Sequence, residues 1–434
     1  MEVGTTCVPD DDPTGTTSTG DGAPEPGDGA PASCVDADYP VMARLCGGGG
    51  PPCVVKRDES FTTPGDFRND APALALRGDC RPLMLFYGGF DGFYAERVGE
   101  GAWEGEPLPQ RAATGSLEYS PARATALAML DDAAFGVSLW RRRAGVWTRK
   151  CTFGGKNHAR SQQLARDPSD HLYFGHVDGE DRLQLDLFDG TSWSRTRLDE
   201  RVRIDVRLAL TSAAIPNLVY WTSGGKPPEL WWLAPSAAPE RLASVAASSG
   251  YRTNSALVLA PGDVPWVLFE HKLNQQGKHA IVLAHRNGPN DWTQEILAEE
   301  TPESETNCLA PPLEAGLQCA EDYREHHPIA VFASSDDIRA LYVTVRFQRK
   351  YVSECMPHWE PECRWELQSD DSNSQLRLAW PGSLPAEHEV VAQDIFAARA
   401  GFRLDPGGNM HLAVNNDELL GIPSSEIRYL MIGP

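Results

Sequence analysis

The chain is a succession of short apolar runs, not of long amphipathic stretches. From about residue 53 onward, strand-sized hydrophobic segments such as Pro72 to Leu76 and Ala256 to Ala260 alternate with breaks rich in Gly, Pro, Asn and Asp. Runs of this size bounded by turn residues predict β-strands. Only Asp394 to Ala400 carries a pattern that predicts a helical turn.

The order of these elements recurs. One unit reads Tyr251-Arg252-Thr253-Asn254, an apolar strand from Ser255 to Ala260, a turn at Pro261-Gly262-Asp263 and a strand from Val264 to Glu270. A polar loop follows, then a strand from Ala280 to His285, a second turn, and Trp292 opening a last strand to Leu297. The same turn chemistry stands at Asp167-Pro168-Ser169-Asp170 and Asp405-Pro406-Gly407-Gly408. There Pro fixes φ, Gly accepts φ > 0 and Asp bonds back to its own backbone.

Tryptophans punctuate the repeat at Gly101-Ala102-Trp103, Gly145-Val146-Trp147, Gly190-Thr191-Ser192-Trp193 and Asn290-Asp291-Trp292. They fall 44, 46 and then 99 residues apart, the last interval spanning two units, with the absent Trp near Arg241-Leu242. Four short strands per unit of about 40–50 residues predict a β-propeller. Units begin near Phe67, Tyr119, His158, Arg203, Tyr251, Arg324 and Phe396, which makes seven blades. The seventh ends one strand short at Ile427 to Ile432, and the orphan strand Cys53 to Arg57 is expected to complete it. Such closure removes sheet edges. The expectation is therefore an all-β, seven-bladed propeller over residues 51–434, the alternative being an open β-sandwich or two smaller β-domains.

Residues 1–50 differ in kind. The run Asp10 to Ala32 is built from Asp, Gly, Thr, Ser, Pro, Glu and Ala and predicts a disordered acidic tether. Residues 1–40 hold nine of the acidic side chains and no Lys or Arg, out of a net charge of −22 for 434 residues. With no basic block in the chain, a nucleic-acid partner is not expected. No apolar run approaches the ~18 residues of a membrane span.

The ten cysteines set the compartment. Cys34, Cys46 and Cys53 cluster, while Cys308 with Cys319 and Cys355 with Cys363 bracket loops, none at zinc or redox spacing. Disulfides, and so an exported, secreted or periplasmic protein, are expected. A Cys80–Cys151 bridge between neighbouring blades is a further expectation. The first residues offer neither a basic nor an apolar signal region, so an export signal is expected to lie upstream. The polar stretch behind Cys7 resembles the mature start of a bacterial lipoprotein.

Candidate chemistry sits where the innermost strands begin, since loops converge there over the central channel. These starts carry Arg68 and Asn69, Arg123, His158 and Arg160, Asp205 and Arg207, Arg252 and Asn254, His326 and His327, and Arg399. Repeated Arg, His and Asn at one register would ring the mouth with donors suited to a carboxylate, phosphate or sugar. No nucleophile elbow, HExxH or phosphate loop is present, and neither a metal nor another cofactor is expected.

Two segments resemble the sialidase-like, BNR-type propellers of exported bacterial proteins. Phe67-Arg68-Asn69-Asp70-Ala71-Pro72-Ala73-Leu74 is similar to the first arginine motif of that family, and Phe188-Asp189-Gly190-Thr191-Ser192-Trp193 to its Asp-box. The resemblance implies a propeller and, in its catalytic members, an arginine triad that holds a substrate carboxylate beside a Tyr/Glu pair and an Asp acid. Two functions follow as expectations. One is a tethered, monomeric binding propeller for a glycan, peptide or protein partner; the other is a glycoside hydrolase or lyase in which Arg68, Arg123, Arg160 and Arg252 grip an acidic sugar.

Overall fold

In the computed structural model, residues 6–7 and 45–434 are described, apart from 68–71, 89–90, 110–113, 122, 133–135, 154–161, 179–181, 200–201, 223–227, 235–236, 245–253, 273–278, 300–311, 313–314, 335–336, 356–362, 398 and 416–423. Two N-terminal strands, β1 (Thr6–Cys7) and β2 (Val54–Phe67), precede the repeats. Blade one is β3 (Ala73–Leu76), β4 (Pro82–Gly88), β5 (Asp91–Gly99) and β6 (Ala102–Pro107). Blade two is β7 (Thr114–Ser120), β8 (Thr125–Asp132), β9 (Gly136–Arg143) and β10 (Val146–Phe153). Blade three is β11 (Gln162–Arg166), β12 (Leu172–Val177), β13 (Leu183–Phe188) and β14 (Trp193–Asp199). Blade four is β15 (Val202–Leu210), β16 (Pro216–Thr222), β17 (Glu229–Leu233) and β18 (Glu240–Ser244). Blade five is β19 (Ser255–Ala260), β20 (Val264–Lys272), β21 (His279–Gly288) and β22 (Asp291–Glu299). Blade six is β23 (Gln318–Ala333), β24 (Ile338–Cys355), β25 (Cys363–Asp370), β26 (Asn373–Ala379) and β27 (Glu389–Gln393). Blade seven is β28 (Gly401–Leu404), β29 (Met410–Asn415) and β30 (Ser424–Gly433), with β2 as its outermost strand.

The described residues thus form seven antiparallel sheets. Each first strand lies against the first strand of the next sheet, and β28 returns to β3, so the ring is closed. This is the all-β propeller that the repeat predicts. The N-terminal strand closes it as expected, though it runs well past Arg57: Val55 pairs with Ile432 and Phe67 with Ser424. Closure demands a close approach. A Cβ on Gly401 would collide with the Pro72 carbonyl and the Leu74 side chain, so only glycine lets β28 meet β3.

The apolar faces of neighbouring blades bury one another, as repeat stacking requires. Tyr94, Leu117 and Leu130 share one such cluster, and Trp221, Trp232 and Phe269 another. Leu45 and Cys46 are buried with Leu412 and Ile432, which places the chain just before β2 inside the core between blades six and seven.

The turn from first to second strand recurs in fixed form. Its fourth residue takes positive φ at Gly408 (77°), the role the sequence gives to glycine, and also at Asp170 (68°), Asp263 (59°), Cys80, Ala124 and Ala214. Asp170 accepts a 2.8 Å bond from Ser120 Oγ of blade two. Asp263 likewise accepts 2.8 and 2.9 Å bonds from the Ser212 backbone N–H and hydroxyl of blade four. The same Asp that suits the left-handed turn therefore ties it to the preceding blade.

Two expectations are corrected. Asp394 to Ala400 holds no helix among its described residues; Ile395 and Ala397 are buried while Phe396 is only partly so, a period of two, and the one helical turn described is a 3-10 turn at Pro385–Glu387. Disulfides join Cys46 to Cys53 and Cys355 to Cys363, but Cys80 and Cys151 do not pair. Cys80 sits in the turn after an innermost strand and Cys151 on an outermost one. With strands about 4.8 Å apart, that separation exceeds disulfide reach. Both are disulfide-bonded elsewhere, as is Cys319, and Cys7 lies opposite Cys151 where β1 pairs with β10. Cys34 and Cys308 lie outside the described residues. No helix among the described residues is long and apolar enough to cross a membrane.

Candidate functional site

A cavity of about 240 Å3 occupies the centre of the ring and touches all seven first strands or the residues just before them. Its walls are apolar or small, with Leu74, Leu117, Leu257, Ile329, Val331 and Phe402 prominent. The polar groups are Ser116, Gln163, Arg207, Asn254, Ser255, Arg399 and Arg403, so the ionisable residues among the described lining are three arginines.

Two of these arginines span the channel from blade seven. Arg399 passes the start of blade six and donates Nε to Asn254 Oδ1 on blade five at 3.1 Å. Arg403, four residues further along, donates to Glu118 of blade two at 2.6 Å and to the Leu117 carbonyl at 3.4 Å. One strut crosses the mouth where the first strands begin; the other lies nearer the opposite end.

Arg207 stands at the first mouth, donating Nε to the Ser255 carbonyl at 2.7 Å and pairing with Asp205 at 2.9 Å. Asp205 has φ of 52° in a β-bulge, where β15 shifts register, and this turns its carboxylate toward blade five. There it accepts the Ser255 N–H at 2.9 Å and hydroxyl at 2.7 Å. Asp205 therefore neutralises Arg207 from behind, as Glu118 does Arg403. Arg399 Nε is held by the Asn254 amide oxygen.

The structure brings Arg207, Asn254 and Arg399 together at the mouth and backs Arg207 with Asp205. It separates the other described candidates. Arg123 lies in the turn after β7, on the opposite face, and pairs with Asp170 at 2.9 Å. Tyr119 ends its strand where the sequence reading starts one, so the four-arginine grip that includes Arg123 is not assembled. His326 and His327 are buried within β23, which begins at Gln318. His326 bonds Thr344 at 3.0 Å, and His327 lies 3.2 Å from Glu325 and 4.0 Å from Glu270. They form part of the sheet and do not line the cavity. No group of described His, Cys, Asp or Glu side chains is arranged to hold a metal. Arg68, Asn69, His158, Arg160 and Arg252 lie outside the described residues.

Gln163, Ser255 and Arg403 are lining residues that sequence reasoning missed. Gln163 Oε1 accepts the Leu208 N–H at 2.9 Å, joining blades three and four. The signal was a polar side chain inside a short first strand, visible in Phe402-Arg403-Leu404. The Asp-box-like turn is real at one place: Asp189 accepts bonds from the N–H and hydroxyl groups of Ser192 and Thr191. The Ser192 and Thr191 donors hold its carboxyl far below the usual range. It lies between the last two strands of blade three, away from the channel.

No protein-family profile matches the chain, and no curated protein matches it. Solved structures do. The polysaccharide lyase Uly1 aligns over 86% of this chain and 90% of its own, at 8% identity and a TM-score of 0.46. AofleA from Arthrobotrys oligospora aligns over 78% and 97%, at 12% identity and a TM-score of 0.39. The Aleuria aurantia lectin, as a mutant bound to Fucα1-6GlcNAc, aligns over 71% and 97%, at 11% identity and a TM-score of 0.39.

Proposed function

We propose that this protein is an exported binding propeller that recognises a glycan at the channel mouth, with Arg399, Asn254 and Arg207 receiving an acidic sugar. One observation carries the reading: the ionisable side chains among the described residues that line the central cavity are all guanidinium, with the Asp205 and Glu118 carboxylates set behind two of them, in a chain of net charge −22. A ligand carboxylate can take the Arg399 donor now given to an amide and gain a charge-assisted bond, roughly twice as strong as a neutral one. Leu257, Ile329 and Phe402 would meet the apolar face of the ring. A cavity of this size takes one terminal sugar, with the rest of the chain outside.

Two disulfides accord with export. The test is a binding screen of neutral and uronate- or sialate-terminated oligosaccharides against the purified protein. Selective capture of the acidic members at one site per chain supports the reading, and equal capture of neutral ones counts against it. Products released during the titration would favour the hydrolase or lyase alternative.

A further inference from the structure

Another cavity, of about 600 Å3, lies at the seam where β2 meets blade one. It is on the face opposite the mouth, beside the turn between β3 and β4 and the hairpin between β5 and β6. Lys56 to Glu59 line it from β2, and Arg81 and Arg97 to Gly101 line it from blade one.

The charge of this cleft runs against that of the chain. Four cations, Lys56, Arg57, Arg81 and Arg97, face three carboxylates, Asp58, Glu59 and Glu100, in a protein of net charge −22. Two of the carboxylates are already engaged. Arg428, outside the lining, holds both oxygens of Asp58 at 2.8 Å. Arg97, Trp103 and the Gly101 N–H occupy those of Glu59. Glu100 is then the one other carboxylate among the described lining.

The remaining cations are placed without being matched. Lys56 donates Nζ to a neutral amide, Asn409 Oδ1, at 2.8 Å. Asn409 is itself oriented, because its amide N–H bonds Asp405 at 2.8 Å. Arg57 approaches Glu59 at 3.9 Å, beyond hydrogen-bond distance. Arg81 shares Asp79 with Arg77, at 3.2 and 3.4 Å, and Asp79 is not part of the lining. Lys56 is the unpaired residue of a bulge between Val55 and Arg57, which lets these successive cations line one cleft.

We infer that this cleft is a binding site for a tetrahedral oxyanion, a sulfate or phosphate group, held by Lys56, Arg57 and Arg81. It is independent of whatever the channel mouth binds. Ammonium and guanidinium donors give such a group charge-assisted bonds, and a cleft of this volume leaves room for a sugar that carries it. Lys56 and Arg57 stand on the N-terminal strand and Arg81 on blade one, so a bound oxyanion bridges the seam and stabilises ring closure by linkage.

The test titrates sodium sulfate, sodium phosphate, N-acetylglucosamine 6-sulfate and glucose 6-phosphate calorimetrically into the intact protein, with ionic strength fixed by chloride. One site per chain is expected. An ester that binds as tightly as its free ion shows that the group is recognised on a larger molecule; binding of the free ions alone shows that the free anion is the ligand. Lys56→Gln, Arg57→Gln and Arg81→Gln should each weaken binding by about tenfold, and Lys56→Arg should retain it. Arg241→Gln removes an exposed charge from blade four and should change nothing. Thermal midpoints in chloride verify that each variant is folded. Sulfate raises midpoints generally by exclusion from protein surface, so the readout is the extra rise of the intact protein over the Lys56 and Arg57 variants. No binding by the intact protein, or a loss in Arg241→Gln as large as in the cleft variants, overturns the site and leaves the reading of the mouth untouched.

Discussion

Trp292, on the outermost strand of blade five, donates its indole N–H to Glu240 on the outermost strand of blade four at 2.9 Å. Arg286 grips the same carboxylate with bonds of 3.0 and 2.8 Å. The arrangement recurs around the rim. Glu59 receives Trp103 at 3.0 Å with Arg97, which is how the N-terminal strand is locked to blade one. Glu106 receives Trp147 at 3.0 Å with Arg142. Between blades two and three the acceptor is Cys151 Sγ, at 3.0 Å from Trp193. The tryptophans that punctuate the sequence are therefore clasps between blades as well as core residues.

Breaking a clasp should loosen one blade interface. Trp292→Phe keeps the ring and removes one bond to a charged acceptor, so a loss of roughly 1.5 kcal/mol is expected. Glu240→Gln leaves Arg286 without its counter-charge at a largely buried site and should cost more, about 3 kcal/mol. Chemical denaturation of the two variants checks the order; equal and negligible losses would show that the rim is not structural.

Two of these clasps, with the buried carboxylates Asp186 inside blade three and Asp405 inside blade seven, also set an acid limit. Burial alone would raise the carboxyls of Glu59, Glu240, Asp186 and Asp405. Hydrogen bonds and nearby charge from Arg97, Arg286, Arg195 and His411, the leading donors in turn, outweigh it and hold each below its ordinary value. In that window the unfolded chain binds more protons, so stability rises with pH. It should be full above about pH 5 and fall as pH drops through the lowered folded-state values. Denaturant midpoints between pH 7 and pH 3 measure this, and Glu240→Gln should flatten part of the slope.

Much of this fold was legible because its repeat is written in residues with narrow roles. The outer-strand Trp, the Asp-Pro turns and the unpaired strand near Val54 each have one place in a closed ring. The channel was less legible. Arg123 was misplaced because the turn at Pro121 to Ala124 puts alanine at a positive φ, so no glycine or Asp marks the strand end. His326 and His327 were misplaced because β23 begins at Gln318, so the pair falls inside a strand instead of at its start. Arg403 escaped notice because its partner Glu118 lies 285 residues away and only the ring brings them together.

The most direct test of the central claim compares two arginines on opposite faces. A uronate-terminated oligosaccharide is titrated calorimetrically into the unaltered protein, Arg399→Ala, Asn254→Ala and Arg123→Ala. One site per chain is expected, with affinity reduced at least about tenfold by the first two changes and untouched by the third. Binding that ignores Arg399 and Asn254 but is lost with Arg123 would place recognition on the other face and contradict the account.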